Sequence, residues 1–369
     1  MKLTICETCG SALQFEASAC RRCGAAVGFI PGNMELSALI PRFGGSVSPK
    51  SRPDELWHPC ANAKTAGCNW LVEVASSEAL CVACRLNREI DDLSGPGHTE
   101  KWRAIETAKR RLVYGLMRLG LPIASKHDGE ARGLAFDFRA STEEEQVFTG
   151  HADGLITVNI AEACSAERER QRLALGEPYR TLLGHMRHEA GHYYWDLLVL
   201  DGGRVEESRA MFGDERASYA EALKHYYANG PLPEWRDSYV TAYATMHPWE
   251  DFAETWTHYL HIVDTLDTGA TFGLTLAPVV AADAAMATRI GFDPYAARDM
   301  AEIMAAWGPL TEAVNALNRS MGQPDLYPFE LPPPAITKLG FIHDLVQSAR
   351  REPATAVSGE TLPGRVPAA

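Results

Sequence analysis

The 369-residue sequence contains no stretch of about 18 or more apolar residues, the length a helix needs to cross a bilayer. Its first residues, Met1-Lys-Leu-Thr-Ile-Cys6, lack the charged-then-apolar layout of a secretion signal, so the expected location is the cytoplasm and no membrane partner is expected. Positive charge is scarce as well. Lys and Arg number 35 against 48 Asp and Glu, a formal net charge of −13. A protein that tracks phosphates needs clustered cations, so nucleic acid is not an expected partner. Residues 1–95, with nine basic and ten acidic side chains, carry no basic face either. Cysteine is nearly absent beyond residue 84: of nine, only Cys164 lies further on. Clustered thiols in a reducing compartment read as metal ligands rather than disulfides.

The clustered cysteines fall into two sets. Cys6-x2-Cys9 and Cys20-x2-Cys23 have the zinc-ribbon form, two knuckles whose four thiolates suffice for a closed tetrahedral zinc site. Cys60, Cys68, Cys81 and Cys84 form a looser second set with one Cys-x2-Cys pair, in which His58 is an alternative ligand. Residues 1–95 are therefore expected to be a small zinc-ribbon module with one or two structural zinc sites of four cysteines each, the metal supplying folding energy that so small a core cannot. Cys164 reads as a buried small hydrophobe.

Single cores rarely grow past about 250–300 residues, so a second domain is expected after the linker Ser94-Gly-Pro-Gly97. Trp102, Ile105, Ala108, Leu112, Leu116 and Leu119 recur at helical steps, with Arg103, Lys109, Arg110 and Arg118 on the other face. Leu134–Phe138 alternates like a strand, and Asp153-Gly154 is a turn signal leading into the β-branched run Leu155–Ile160. The charged run Ala166–Arg172 reads as a solvated helix. Further helices are expected from Pro178 to about Val199, over Ala217–Tyr227 and over Pro248–Leu266. The class is α+β: a mainly helical domain with a small sheet over residues 96–350, following the ribbon. The Pro-, Ala-, Gly- and Thr-rich stretch 351–369 is expected to be a disordered tail.

One pentapeptide carries chemistry. In His188-Glu-Ala-Gly-His192 the two His, four apart on a helix, share a face and can reach one zinc ion. Glu189 on the flank can act as general base towards water whose pKa the metal lowers from about 15.7 towards 7. A catalytic zinc takes three protein ligands, and Asp214, Glu221, Glu250 and Glu254 compete for the third place. Glu250 is favoured, because Glu254 then lies one turn on, where it can orient a ligand imidazole. Asp196, four residues after His192, is a candidate for the same orienting role. Tyr243 is the first choice of oxyanion donor, ahead of Tyr239, His247, His258 and His261, and His185 reads as a neighbour rather than a ligand.

The chain resembles a bacterial family of zinc-binding metallopeptidases that carry an N-terminal zinc ribbon. The resemblance extends to about residue 345. It rests on Cys81-Val-Ala-Cys-Arg-Leu-Asn87, Thr149-Gly-His-Ala-Asp-Gly-Leu-Ile-Thr157, the run from Glu177 through His188-Glu-Ala-Gly-His192 to Asp196, Phe212-Gly-Asp-Glu215 and His247-Pro-Trp-Glu-Asp-Phe-Ala-Glu-Thr-Trp256. It implies a zincin-like, gluzincin-like peptidase with His188 and His192 as ligands, Glu189 as base and a downstream glutamate as third ligand. Glu250-Asp-Phe-Ala-Glu254 is similar to the third-ligand helix of lethal-factor-type gluzincins, which favours Glu250 and places a catalytic tyrosine at Tyr243. Two functions follow as expectations. One is a zinc-dependent peptidase or amidase, with one catalytic and one or two structural zinc ions, acting on a peptide laid along Leu155–Ile160 as an edge strand. The other is a non-catalytic, zinc-stabilised binding or scaffold protein whose ribbon docks a protein partner. A fourth protein ligand closing the zinc sphere would favour the second.

Overall fold

Short alternating runs separated by Gly and Pro can form only short strands, and the N-terminal quarter is built from them. A computed structural model describes residues 3–91, 93–130, 132–142, 144–175, 179–279 and 284–351. The expected tail, from residue 352 on, and the expected helix start at Pro178 lie outside the described residues. Strands β1 (Thr4–Ile5) and β2 (Ala12–Leu13) pair antiparallel and set the first knuckle. An antiparallel sheet follows in the order β3 (Val27–Ile30), β4 (Glu35–Pro41), β5 (Val47–Pro49), β6 (Trp57–Pro59) and β7 (Leu71–Glu73). Proline ends β4, β5 and β6, where a missing N–H interrupts the ladder least.

The next strand, β8 (Asn87–Ile90), leaves the ribbon and joins the second domain's sheet, whose order is β10 (Gly150–Ala152), β11 (Leu155–Asn159), β9 (Ala135–Arg139), β8. β9 runs parallel to both β8 and β11, while β10 and β11 form an antiparallel hairpin. Its turn places Asp153 at φ 48° and Gly154 at φ 76°, the paired positive values of a type I′ turn. β11 therefore lies inside the sheet with its hydrogen-bonding groups shared between β9 and β10. It is not an edge open to a peptide, which corrects the expectation for Leu155–Ile160; the edge on that side is β10.

Helix α1 (His98–Arg118) buries Trp102, Ile105, Ala108, Leu112 and Leu116 at the expected steps. Lys109 and Arg110, expected on the face opposite the apolar steps, are buried too, because the ribbon covers that face. Tyr114 meets Phe15 and Phe29 of the ribbon with ring centroids 4.9 and 5.9 Å apart. One apolar core thus runs from Cys6 to Val346, and the chain boundary near residue 95 is not a gap between two cores. The helices α2 (Ser165–Leu175), α3 (Leu182–Tyr194), α4 (Val205–Phe212), α5 (Tyr219–Asn229), α6 (Pro248–Thr271), α7 (Met300–Ser320) and α8 (Pro333–Arg351) complete the mainly helical domain. Among the described residues no helix is long and apolar enough to cross a membrane.

α3 and α6 cross at the heart of this domain. Thr181 caps α3 by accepting from Gly184 N at 3.0 Å, and His247 caps α6 by accepting from Trp249 N at 3.1 Å ahead of Pro248. At the crossing a Cβ on Gly191 would lie 2.9 Å from Ala253 Cα. Only Gly against Ala lets the two backbones approach this closely.

Candidate metal centre

The two cysteine sets converge as the spacing predicts. Four sulfurs bound tetrahedrally at about 2.3 Å from zinc stand about 3.8 Å apart. Cys6 and Cys23 Sγ are 3.8 Å apart, Cys9 and Cys20 3.6 Å, and Cys68 and Cys81 3.7 Å. In each set every sulfur lies within 4.8 Å of the others. Backbone and hydroxyl hydrogen bonds from Ser11 hold the Cys9 thiol down at about 6, which favours the ligating thiolate. The second set is complete without His58, whose ring bonds to the Pro59 carbonyl. Cys164 is only half-buried, at the start of α2, so the expectation of a core residue is corrected.

A third group gathers His188, His192 and Glu250, all buried. Imidazoles bound tetrahedrally at about 2.0–2.1 Å place their nitrogens about 3.3 Å apart. The two Nε2 atoms are 3.2 Å apart, and the Glu250 carboxylate lies 2.9 Å from His188 Nε2 and 3.4 Å from His192 Nε2. Two imidazoles and a carboxylate at these separations fit a single zinc ion. α3 supplies both His on one face and the first turn of α6 supplies Glu250, with Gly191 bringing the helices close enough for the sets to meet.

Burial works against the charge of Glu250, but the two imidazoles outweigh it and hold the carboxyl well below its ordinary range. One turn on, Glu254 accepts from His188 Nδ1 at 2.6 Å, and Thr241 donates to its other oxygen at 2.7 Å. A proton fixed on Nδ1 leaves the Nε2 lone pair of His188 for metal. His192 is held differently. Its Nδ1 has no hydrogen-bond partner among the described residues, and Trp249 packs on its ring at 3.8 Å between centroids. Asp196 therefore does not orient an imidazole. At Trp195 the helix widens into a π-helical stretch, Trp195–Leu200, which breaks the four-residue spacing from His192, and Asp196 lines a narrow cleft with Arg132, Asp153 and Tyr193.

Of the other acidic candidates, Asp214 pairs with Arg216 at 2.7 Å on the surface, and Glu221 sits exposed at the start of α5, where Ser218 caps its N–H. Neither belongs to the group that the two imidazoles form with Glu250. Tyr243 packs beside His188, 6.1 Å between ring centroids, and burial raises its hydroxyl pKa well above the ordinary value. Tyr239 lies under the Lys338 ammonium, His247 serves as the cap of α6, His258 bonds to the Tyr327 hydroxyl at 2.6 Å and His261 to Arg187, all packing roles. Sequence reasoning missed Tyr219, whose hydroxyl donates to Glu250 Oε1 at 3.1 Å and hydrogen-bonds Tyr243. Its helix is expected over Ala217–Tyr227, but no sequence signal marks its reach to α6.

Glu189 is buried, with Oε2 unpaired and Oε1 3.4 Å from His185 Nε2. His185 in turn meets the Glu162 carboxylate at 2.6 Å through Nδ1. This carboxylate, lodged between the metal ligands and a second imidazole, has the chemistry of a base with one oxygen free.

The family described as "Putative zinc-binding metallo-peptidase" matches residues 98–345, and a zinc-ribbon domain matches residues 3–95. The chain is 42% identical over 359 residues to uncharacterised proteins of Mycobacterium bovis and Mycobacterium tuberculosis, covering 97% of this chain and 98% of theirs. No solved structure matches. The match to most of the helical domain, with the ribbon before it, shows that the chain belongs to the zinc-binding metallo-peptidase family and carries an N-terminal zinc ribbon.

Proposed function

We propose that the chain is a zinc-dependent peptidase or amidase of the His-Glu-x-x-His, gluzincin-like type. The observation that carries this reading is the ligand count. His188, His192 and Glu250 form a group of three, the number a catalytic zinc takes while keeping one position open, and among the described residues no fourth His, Cys, Asp or Glu joins it. A fourth protein ligand would have favoured the scaffold reading. Zinc there would supply Lewis acidity, making water a nucleophile near neutral pH and polarising an amide carbonyl. Glu189, with its free Oε2, takes the water proton and returns it to the leaving amine. Glu254 keeps His188 in the ligating tautomer. Tyr243, beside His188, donates to the oxyanion by turning its hydroxyl proton away from Tyr219, whose own proton is committed to Glu250. The substrate is a peptide that adds to β10, the sheet edge nearest α3, rather than to β11.

The test has two parts. Elemental analysis of purified protein is expected to find three zinc ions, and one fewer after H188A/H192A. Zinc-replete wild type, incubated with a diverse peptide mixture and read by mass spectrometry, is expected to generate new termini that E189Q, with its zinc intact, does not. Equal cleavage by E189Q would refute the assigned base.

A further inference from the structure

Glu189 can serve as the base only if its carboxylate is held still. A carboxyl on a helix flank has free χ angles, and a base that wanders by about 0.5 Å loses its geometry. Along α3, His185 precedes Glu189 by one turn, so their side chains share a face. His185 Nε2 stands 3.4 Å from Glu189 Oε1, and its Nδ1 stands 2.6 Å from Glu162 Oε2. Glu162 is buried at 5% exposure on the turn after β11, where Thr149, the residue preceding β10, also hydrogen-bonds to it.

We infer that His185, clamped by Glu162, is a positioning residue for Glu189. It pins one oxygen of that carboxylate so that the other faces the metal site. The inference rests on the peptidase reading. The imidazole hydrogen-bonds Glu162 through Nδ1 at 2.6 Å and faces Glu189 through Nε2 at an ion-pair distance of 3.4 Å, so both ring nitrogens are turned to carboxylates rather than to metal. Burial opposes its charge, but Glu162 and Glu189 outweigh burial and raise its pKa to about 9, so the clamp is ionic at neutral pH. The connection also runs outward: Thr149, next to the strand proposed to receive substrate, helps keep the Glu162 carboxyl ionised, so edge strand and base are linked through Glu162 and His185. Helix α3 thus carries two devices on neighbouring faces, His188 and His192 for the metal and His185 for the base.

A probe that needs no known substrate can read the position of Glu189. Acetohydroxamic acid offers two oxygens to a metal and hydrogen-bond donors to an adjacent carboxylate. Its affinity for the zinc-replete full chain, by titration calorimetry, is expected to fall about tenfold in H185A and about threefold in E162Q with zinc content unchanged, a loss of the size expected for one charge-assisted hydrogen bond made indirectly. H185Q, whose amide nitrogen can replace Nε2 as donor, is expected to recover most of the loss. Because His185 acts through Glu189, H185A added to E189Q should weaken binding no further than E189Q alone, whereas a general loosening of the site would weaken it again. Wild-type affinity in H185A overturns the inference; if H185A fails to fold, wild-type affinity in E162Q does so. No binding by zinc-replete wild type removes the open metal position, and the peptidase reading falls with the inference.

Discussion

Gly191→Ala sets two effects of opposite sign against each other. Inside a helix, Ala is favoured over Gly by about 1 kcal/mol. At this position, however, the new methyl meets Ala253 Cα at 2.9 Å and Ala253 Cβ and O at 3.3 Å, well inside the ordinary contact distance of about 3.5–4.0 Å. Two of those three atoms are backbone of a long buried helix and cannot swing aside, which places the overpacking penalty near the upper end of about 1–3 kcal/mol. The net expectation is a loss of about 1–2 kcal/mol, read by urea denaturation. Separation of α3 from α6 by a few tenths of an ångström also draws the His pair away from Glu250 and Glu254. Zinc affinity at that site, measured by chelator competition, should fall about tenfold, while the cysteine sites keep theirs. Gly340→Ala is the control: its methyl would meet only Met300 Cβ, at 3.9 Å, so the same substitution should be neutral or stabilise by up to about 1 kcal/mol. If Gly191→Ala behaves like Gly340→Ala and holds zinc as tightly as the wild type, close helix approach does not build the site.

Three further outcomes follow from the geometry. Glu254→Gln weakens the partner of His188 Nδ1 and should lower zinc affinity at this site about 10–100-fold in chelator competition, with both cysteine sites still filled; unchanged affinity would remove Glu254 from the site's design. Despite burial, the Glu162–His185 contact lowers the Glu162 pKa from 4.5 to about 2, and Glu162, with a smaller share from Glu189, raises that of His185 from 6.5 to about 9. The contact should therefore contribute about 3 kcal/mol that is complete between pH about 4.5 and 6.5, lost as pH rises through 9 and lost as it falls through 2; an E162Q/H185Q double-mutant cycle whose coupling energy is flat from pH 6 to 10 would contradict this. Cys81→Ser/Cys84→Ser should remove one zinc and lower the main unfolding transition, because the ribbon and helical domain share one core; a separate early ribbon transition in calorimetry would show the reverse.

What could be read from the sequence was local. The three- and four-residue steps of α1, the Asp153-Gly154 turn, the Pro248 start of α6 and the Cys-x2-Cys knuckles each depend on residues near one another in the chain. So does the His188, Glu189, His192 face, and the one-turn relation of Glu250 to Glu254 extended that reasoning to a second helix. Failures came where a distant segment decides the outcome. β11 reads as an edge strand until β10 folds back on it, and the face of Lys109 and Arg110, opposite the apolar steps, is covered by a ribbon that lies earlier in the chain. The β3–β7 sheet is made of strands of three to seven residues whose alternation is too brief to distinguish from loop. Asp196 failed for a different reason: the i, i+4 rule assumes 3.6 residues per turn, and the helix abandons that pitch at Trp195.

The covered face of α1 also bears on what the ribbon is for. Glu106, Lys109 and Arg110 lie there with at most 3% exposure, at the edge of the second cysteine set. Lys109 donates to Glu106 at 2.8 Å and to Asn87, Asn87 donates to Glu106 at 2.8 Å, and Cys84 Sγ lies 3.8 Å from the other Glu106 oxygen. Buried charges are tolerated only when paired, and removing one partner of such a cluster costs about 3–5 kcal/mol. Withdrawing the ribbon would strip Asn87 and Cys84 from this cluster at once and expose Tyr114 beside them. A ribbon tethered in order to dock partners would present its free face to solvent and meet its own domain through a small, polar, separable contact. Here the second zinc site closes over charged groups of the helix that opens the peptidase-family domain, and β8 continues from it directly into that domain's sheet. The ribbon is therefore part of the scaffold that holds α1, and through the packing of α1 on α3 it supports the helix that carries the His pair.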